Sequence, residues 1–380
     1  MASSRDALTL HALNRALIAR QGLLDRIELP LSEAVEAVGA LQAQHWPALP
    51  VALWSRVHGF AAADLYAALE RGELVSGTLL RATLHLVSAR EHPAYAAVVA
   101  ATGADDWRRT ASAPSAEAQQ LRADLLAYAR ETSRSGEELA AFIEAWVADR
   151  PAAIDAAELE QQRSHKWRPF LRWSALVRAP ADGRWGAKAP AALRAAPASS
   201  ESPPAAALET VIRRHLRAFG PAGAEDVAGW IGCRVPPVRA ALERLGADLV
   251  CFQDEQGRSL HDLPDAPRPD PETPAPPRLL AAFDSVLLAY ASGRRARILP
   301  DAHRDAVYER ANLRIRPSFT VDGLIAGTWG VETRRREATL TLRPLERLAR
   351  GARSALVEEA QRLLLALHPA AIAHKVLLER

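Results

Sequence analysis

Apolar residues recur at helical spacing through the first 70 positions of the chain and then alternate with polar residues over the next 20. The helical spacing predicts helices over residues 7–20, 31–41, 50–57 and 61–70. The stretch LVSGTLLRATLHLVSA, at 74–89, alternates Val, Thr and Leu with other residues and predicts a pair of strands. Helices followed by a hairpin are typical of a winged helix-turn-helix unit.

The same succession of helices and a hairpin recurs twice further along the chain. The middle repeat has predicted helices at 119–130 and 135–147, a further helix over ELEQQRSHKWRPFLRWSALV, and the turn APADGRWG. The third repeat begins with a helix at 210–219 and ends in a hairpin that turns near Gln256 and Gly257. Two segments rich in Pro, Ala and Ser, 195–208 and 264–277, are interpreted as linkers.

The last hundred residues have a more β-rich pattern. IRPSFTVDGLIAGTWGVE predicts a hairpin with Asp322 and Gly323 at its turn, EATLTLRPLERL predicts another strand, and a final helix is expected over 352–367. The prediction is therefore an α+β protein. Its predicted divisions are winged-helix units at 5–105, 106–195 and 205–265 and a β-rich module at 278–380.

Composition limits the class of protein. The 380 residues are 49% apolar and 24% charged, as in soluble globular proteins. No apolar run is long enough to span a membrane, and the N-terminus lacks a secretory pattern, so we expect a bacterial cytoplasmic protein with its two cysteines free. The net charge is +3, and 45 of the 48 basic residues are arginine, a residue suited to phosphate contacts. A GC-rich genome would also enrich arginine.

The motif LQAQHWPALP, at 41–50, contains a pair of neutral amides, Gln42 and Gln44. In a continuous helix their side chains would point about 200° apart. Trp46 precedes a proline, however, and a helix that ended at the motif could let the amides converge. A glutamine cannot act as a general base, but it can orient a water molecule and stabilise a cationic sugar. Such a pair suits a leaving group that is already charged, as in an N7-alkylpurine nucleotide; a polar helix end is the alternative.

Several other patterns suggest contacts with nucleic acid. If 78–89 is a strand, Arg81, Thr83 and His85 share one face and could contact phosphate or sugar. Clusters of Trp and Arg occur at 54–56, 107–109 and 166–173, and arginines gather at 294–297 and 314–316. An exposed strand face, core tryptophans and solvated arginines are the alternatives. Asp284, in an apolar stretch, is interpreted as a structural residue that caps a helix or pairs with an arginine.

The segments VGALQAQHWPALPVALWSRVHGF, LVSGTLLRATLHLVSA, LLAAFDSVLLAYASGRRARILPDAHR and RPSFTVDGLIAGTWG together resemble the AlkZ/YcaQ-type bacterial DNA glycosylases. The resemblance implies tandem winged helices and a β-rich module in a C-shape around a basic DNA channel. It implies a catalytic Q-Φ-(D/Q) motif, Φ being apolar, which is Gln42-Ala43-Gln44 here, and a T-Φ-H motif, which is Thr83-Leu84-His85. Two departures are Ala82, where many relatives have glycine, and ASGRR at 291–295, where an Asp-Arg pair is commoner.

With the resemblance, we expect a monofunctional DNA glycosylase that removes bulky N7-alkylguanines, crosslinks included, from double-stranded DNA as self-resistance to an alkylating natural product. A monomer without cofactor or metal is expected. The predicted catalytic residues are Gln42 and Gln44, and the predicted DNA or lesion contacts are Arg81, Thr83, His85, Trp46, Arg56 and Arg316. The alternatives are a winged-helix transcriptional regulator and a protein that binds lesions without turnover.

Overall fold

The structure is a computed structural model that describes residues 7–103, 116–197, 203–309, 311 and 313–379. The predicted Trp-Arg cluster at 107–109 and the predicted boundary at 105–106 lie outside these residues. The helices are α1 Leu10–Arg20, α2 Leu31–Val38, α3 Ala48–Arg56, α4 Ala62–Glu70, α5 His92–Thr102, α6 Ala116–Glu131, α7 Gly136–Ala148, α8 Ala156–Ser164, α9 Arg168–Leu171, α10 Pro204–Phe219, α11 Ala224–Ile231, α12 Val235–Leu245, α13 Arg304–Val307 and α14 Arg350–Leu367.

The strands are β1 Leu41–Gln42, β2 Leu74–Thr78, β3 Leu84–Ser88, β4 Arg134–Ser135, β5 Leu176–Ala179, β6 Ala192–Ala195, β7 Val250–Gln253, β8 Ser259–Asp262, β9 Arg278–Leu280, β10 Tyr308–Glu309, β11 Arg314–Ile315, β12 Ser318–Val321, β13 Leu324–Arg334, β14 Glu337–Pro344 and β15 Ala373–Leu378. Helices are combined with largely antiparallel sheets, which confirms the predicted α+β class. Among the helices of the described residues, none has the length and apolar character needed to cross a bilayer.

Three successive parts of the chain share one winged-helix topology. In the first unit, α2 is followed by β1, then by α3 and α4, and then by the hairpin β2–β3, with β1 paired to β3. The second unit repeats this order from α6 to β6, with β4 paired to β6. In the third unit, α10 to β8, the short first strand is reduced to a single antiparallel bridge between Ala222 and His261. The predicted tandem units are therefore present, while their boundaries remain predictions.

The first two units share one sheet. Strands β2 and β5 pair at Gly77 and Val177, which produces a six-stranded sheet in the order β1-β3-β2-β5-β6-β4. This junction places the second unit beside the first through hydrogen bonds and apolar packing. The pairing of Gly77 with Val177 joins segments that are a hundred residues apart in the chain. A site between the two units therefore draws on residues that are distant in the sequence.

One apolar core joins the first unit, the third unit and the C-terminal module. Leu17, Val87, Trp230, Tyr290 and Ile325 all belong to it, and each is almost fully buried. Burial of such side chains is the main favourable contribution to folding. The first unit, the third unit and the C-terminal module therefore stabilise one another through this core. The second unit has a core of its own around Leu121, Ile143, Trp167 and Phe170.

The predicted linker at 264–277 is held against α1. The Arg15 Nε donates to the Thr273 carbonyl at 2.6 Å, and the Arg20 Nε donates to the Pro267 carbonyl at 3.0 Å. The segment has no regular structure, but two of its backbone carbonyls accept hydrogen bonds from buried arginine side chains. The predicted linker is therefore packed against the fold along its length rather than extended away from it.

The C-terminal module is a five-stranded sheet in the order β15-β14-β13-β12-β9, with α14 packed on it. The predicted turn at Asp322 and Gly323 joins β12 to β13 as expected. The module does not end in the predicted helix, because β15 follows α14 and pairs in parallel with β14. A C-terminal strand that depends on a non-local parallel partner has little signal in its own sequence.

Asp284 forms a buried ion pair with Arg56. The two guanidinium nitrogens of Arg56 donate to the carboxylate at 2.6 and 3.0 Å, and both side chains are 0% exposed. Asp284 also accepts from the Val286 backbone N–H, so its predicted structural role is confirmed. Removing one partner of a buried pair costs about 3–5 kcal/mol. The prediction that Arg56 contacts DNA is therefore wrong, because its guanidinium group is buried and DNA cannot reach it.

Candidate active site

The glutamine pair lies on β1 and the loop after it, and not at a helix end. Gly39 has a φ of +80°, a conformation that terminates α2, and the chain continues as a strand. Gln42 pairs with His85 of β3, and the Ala43 N–H donates to the Leu84 carbonyl at 2.7 Å. Because alternate residues of an extended chain lie on one side, Gln42 and Gln44 can meet. The Gln42 Nε2 donates to the Gln44 Oε1 at 2.7 Å.

Arg81 contacts this pair from the turn between β2 and β3. The turn is a 3-10 segment, Leu80–Ala82, in which Arg81 and Ala82 have φ values of 55° and 54°. The predicted continuous strand face with Arg81, Thr83 and His85 is therefore wrong, because the chain reverses at these residues. The reversal brings the Arg81 Nη2 to 3.0 Å from the Gln42 Oε1. Thr83 caps the turn, its hydroxyl donating to the Leu80 carbonyl at 3.0 Å.

His85 is a neutral residue beneath Arg81. It is 1% exposed, and burial, together with the nearby Arg81 charge, lowers its pKa to about 3. Its Nδ1 lies 2.9 Å from the Thr83 carbonyl, which can only accept, so Nδ1 carries the proton. The Nε2 is then an acceptor for the Arg81 Nη2, 3.2 Å away. With its lone pair occupied, His85 is not available as a general base.

The contacts form one chain from His85 through Arg81 and Gln42 to Gln44. Gln42 is 8% exposed and uses both ends of its amide in this chain. Gln44 is exposed, and its Oε1 keeps a second lone pair besides the one that accepts from Gln42. The arrangement can therefore hold a water molecule or a polarised substrate atom at Gln44, with the other residues fixing the direction of its amide.

Gln44 opens onto a groove of about 760 Å³ between the first and second units. Four arginines line it, and none of the described lining residues is acidic. Those arginines are Arg81, Arg168, Arg172 and Arg178. Leu84, Leu171, Leu176 and Leu193 supply apolar surface in the same groove. A wall that combines guanidinium groups and leucines suits a ligand with both phosphates and an apolar group.

Comparisons with known proteins identify the family and the fold. The family model for AlkZ-like DNA glycosylases matches residues 35–365, which is most of the chain. The chain belongs to the AlkZ-like DNA glycosylases. A curated AlkZ-like relative, an interstrand DNA cross-link repair glycosylase of Streptomyces sahachiroi, is 25% identical over 322 residues, covering 82% of this chain and 85% of the relative. The solved structure of the DNA glycosylase AlkZ of Streptomyces sahachiroi matches the fold with a TM-score of 0.75 at 20% identity, over 98% of this chain and 99% of that one.

Two other residues predicted to contact the lesion or DNA have partners within this AlkZ-like fold. Trp46 is buried, its ring stacks on Trp185 with centroids 5.9 Å apart, and its Nε1 donates to the Gly186 carbonyl at 2.9 Å. The prediction that Trp46 contacts the lesion is therefore wrong, because its ring is packed against Trp185 and only 4% of the residue is exposed. Arg316 is exposed, pairs with Glu309 and does not line the groove with Gln44.

The predicted Trp-Arg clusters divide between core and groove. In the cluster at 166–173, Trp167 is buried, as the core interpretation expects, while Arg168 and Arg172 line the groove and their contact with nucleic acid stays a prediction. Arg294 and Arg297 are held internally, by Glu225 and by the Pro221 carbonyl. Arg178 and Trp185 were not singled out from the sequence, because nothing in their local pattern marks them. The described residues contain no group of three or more His, Cys, Asp or Glu placed to hold a metal ion.

Proposed function

We propose that this DNA glycosylase hydrolyses the N-glycosidic bond of bulky N7-alkylguanines in double-stranded DNA, interstrand crosslinks included. The observation that carries the proposal is the exposed Gln44 amide, oriented by Gln42 at 2.7 Å, on a groove lined by arginines without carboxylates. Arg168, Arg172 and Arg178 would contact phosphates, and the leucines would pack against the alkyl group. We also propose that Gln42, Gln44 and the groove arginines act within a single monomer.

The chemistry follows from the charge on the lesion. Alkylation at N7 makes the guanine cationic, so the base can depart without protonation by an acid. The bond between C1′ and N9 then breaks, its electron pair leaves with the base, and the sugar develops positive charge, which the amide oxygen of Gln44 stabilises while it orients the attacking water. The water oxygen bonds to C1′, and the proton that it loses passes to solvent. Neither step needs a residue that titrates near neutral pH, and the neutral His85 is consistent with that.

The reaction is proposed to stop at base release. A lyase step would need an amine to form a Schiff base with the sugar, and the described residues that line the groove include no lysine. The name of the curated relative, an interstrand DNA cross-link repair glycosylase, supports crosslinks as substrates. Self-resistance to a DNA-alkylating natural product is the biological role we propose with it.

The test is single-turnover base release from a duplex that carries one bulky N7-alkylguanine. Wild type should release the modified base and leave an intact abasic strand, well above the rate without enzyme. Gln44→Ala should slow release by about 100-fold or more, the usual effect of losing one such polar contact, and Gln42→Ala should slow it as well. Gln120→Ala, a remote exposed glutamine that bonds only to Asp124, is the matched control.

Two outcomes would contradict the proposal. A wild-type protein that binds the modified duplex without releasing base would be a lesion-binding protein. A defined footprint on unmodified promoter DNA without base release would indicate a regulator. The helix in the recognition position of the first unit argues against the latter, because α4 carries Asp64 and Glu70 and no basic residue.

A further inference from the structure

We propose that Arg81 is a positioning residue, which fixes the orientation of the two glutamine amides and couples them to the docking of the third winged-helix unit. The inference rests on the proposed function of the glutamine pair. It replaces the predicted role of Arg81 as a direct DNA contact.

The guanidinium group of Arg81 is already engaged within the protein. Its Nη1 donates to the Trp230 carbonyl, and its Nη2 lies 3.0 Å from the Gln42 Oε1 and 3.2 Å from the His85 Nε2. The planar fork of an arginine can satisfy acceptors in two directions at once, which a lysine ammonium does with less geometric definition. Burial lowers the pKa of Arg81 to about 10, so the group remains charged at neutral pH.

Arg81 decides which end of the Gln42 amide faces Gln44. Because the Gln42 Oε1 accepts from Arg81, its NH2 must point toward the Gln44 Oε1. Without that donor, the Gln42 amide could rotate by half a turn and present its oxygen to Gln44. The Gln44 Oε1 would then lose the Gln42 NH2 group that holds it, so the lone pair that it offers to a water molecule would no longer be fixed in direction. Positioning errors of this kind are costly in catalysis even when every catalytic side chain is present.

The other end of the guanidinium anchors this orientation to the third unit. Trp230 lies near the end of α11 and is packed in the shared core against Tyr95, His215 and Phe219. Gly232, just beyond α11, has a φ of +88°, and a Cβ there would lie 2.8 Å from the Arg81 Cα. The close approach shows that the turn of the first unit is seated directly on the end of α11. The amide pair is therefore set only when the third unit is in place.

The test separates the rate of base release from DNA affinity. Arg81→Ala should lower the single-turnover rate at saturating protein by about 100-fold, while the Kd for an unmodified duplex changes by no more than a few-fold. Guanidinium chloride at low millimolar concentration should restore part of the Arg81→Ala rate, and equal sodium chloride should not. Arg81→Lys, which keeps the charge but loses the fork, should fall between wild type and Arg81→Ala. Arg71→Ala, whose exposed side chain pairs only with nearby Glu73, is the control for removing an arginine.

A weakened Kd with an unchanged saturating rate in Arg81→Ala would overturn the inference, since Arg81 would then be a DNA contact. A lower rate without rescue by guanidinium, together with a lower melting temperature, would make Arg81 merely structural and would also overturn it. If wild type releases no base, the proposed function fails on its own. The inference is then decided by a neutron crystal structure of Arg81→Ala, which distinguishes an amide NH2 from an amide oxygen; a Gln42 Nε2 that still donates to the Gln44 Oε1 would contradict it.

Discussion

At the scale of the residue, the side chains of this site depend on partners that change their chemistry. His85 has the residue type of a general base, but burial and the Arg81 guanidinium hold its pKa at about 3. Its role is to accept a hydrogen bond and keep Arg81 in place. The Gln42 amide likewise uses both of its ends in hydrogen bonds to Arg81 and Gln44, and Gln44 is the residue of the pair that lines the groove.

Buried neutral histidines predict how stability depends on pH. Burial lowers the pKa of His85 to about 3 and of His92 and His215 to about 4, whereas an unfolded histidine titrates near 6.5. Below about pH 6.5 the unfolded chain gains protons that the folded chain does not bind, so this stability is present above that pH and is lost as the pH falls toward 4. Urea unfolding should show a midpoint that declines below about pH 6.5, and less steeply in His92→Asn.

Base release should behave differently, because no step of the proposed mechanism uses a histidine. The single-turnover rate should be flat from about pH 6 to 9, a range in which His85 stays neutral. A rate that fell with an apparent pKa near 6.5 would contradict the assignment of His85 as a neutral partner of Arg81.

At the scale of the element, the turn between β5 and β6 covers the loop that carries Gln44. Trp185 of this turn stacks on Trp46, and the Gly186 carbonyl accepts the Trp46 Nε1. This turn of the second unit, which the sequence analysis predicted at APADGRWG, thus anchors the loop of the first. The sequence marked Trp46 as a candidate contact but could not show that its partner lies about 140 residues away.

Truncating the two tryptophans should have different effects. Trp46→Ala removes a buried ring and should cost about 3–5 kcal/mol of unfolding free energy. Trp185→Ala removes a half-buried ring and should reduce stability less, but it should lower the single-turnover rate because the loop after Gln44 loses its anchor. Urea unfolding and base release measure the two quantities. Arg184→Ala, an exposed change in the same turn, should alter neither; an unchanged rate in Trp185→Ala would show that the stack does not support the site.

At the scale of the whole molecule, the shared six-stranded sheet assembles the groove. Pairing of β2 with β5 brings Arg168, Arg172 and Arg178 of the second unit to the groove that Gln44 of the first unit opens onto. Neither unit has this combination alone. The modest net charge of +3 therefore understates the local positive charge available to a nucleic acid.

The groove predicts a specific dependence of DNA binding on salt. Each phosphate neutralised contributes a slope of about −0.9 in a plot of log K against log salt concentration. The double variant Arg168→Ala/Arg172→Ala should therefore reduce the magnitude of the slope by about 2, while Arg71→Ala leaves it unchanged. Binding to a duplex measured at several salt concentrations decides the point, and weaker binding with an unaltered slope would mean that these arginines do not contact phosphates.

The sequence by itself determined what depends on neighbours along the chain. Helical and alternating periodicity marked the three winged-helix units, Asp322 and Gly323 marked the hairpin turn, and the spacing of Gln42 and Gln44 marked the candidate site. The helix expected over 31–41 ends earlier, at Val38, because Gly39 terminates it and the residues that follow pair with β3 instead. That partner strand is more than 40 residues away in the sequence.

Only the tertiary structure decided which polar residues face the groove. Arg56 and Asp284 are 228 residues apart, and Arg81 and Trp230 are 149 apart. An arginine can contact DNA, form a buried ion pair or position a glutamine. Which of these it does depends on its burial and on hydrogen-bond acceptors that are distant in the sequence. These are properties of the packed chain, and a local pattern does not contain them.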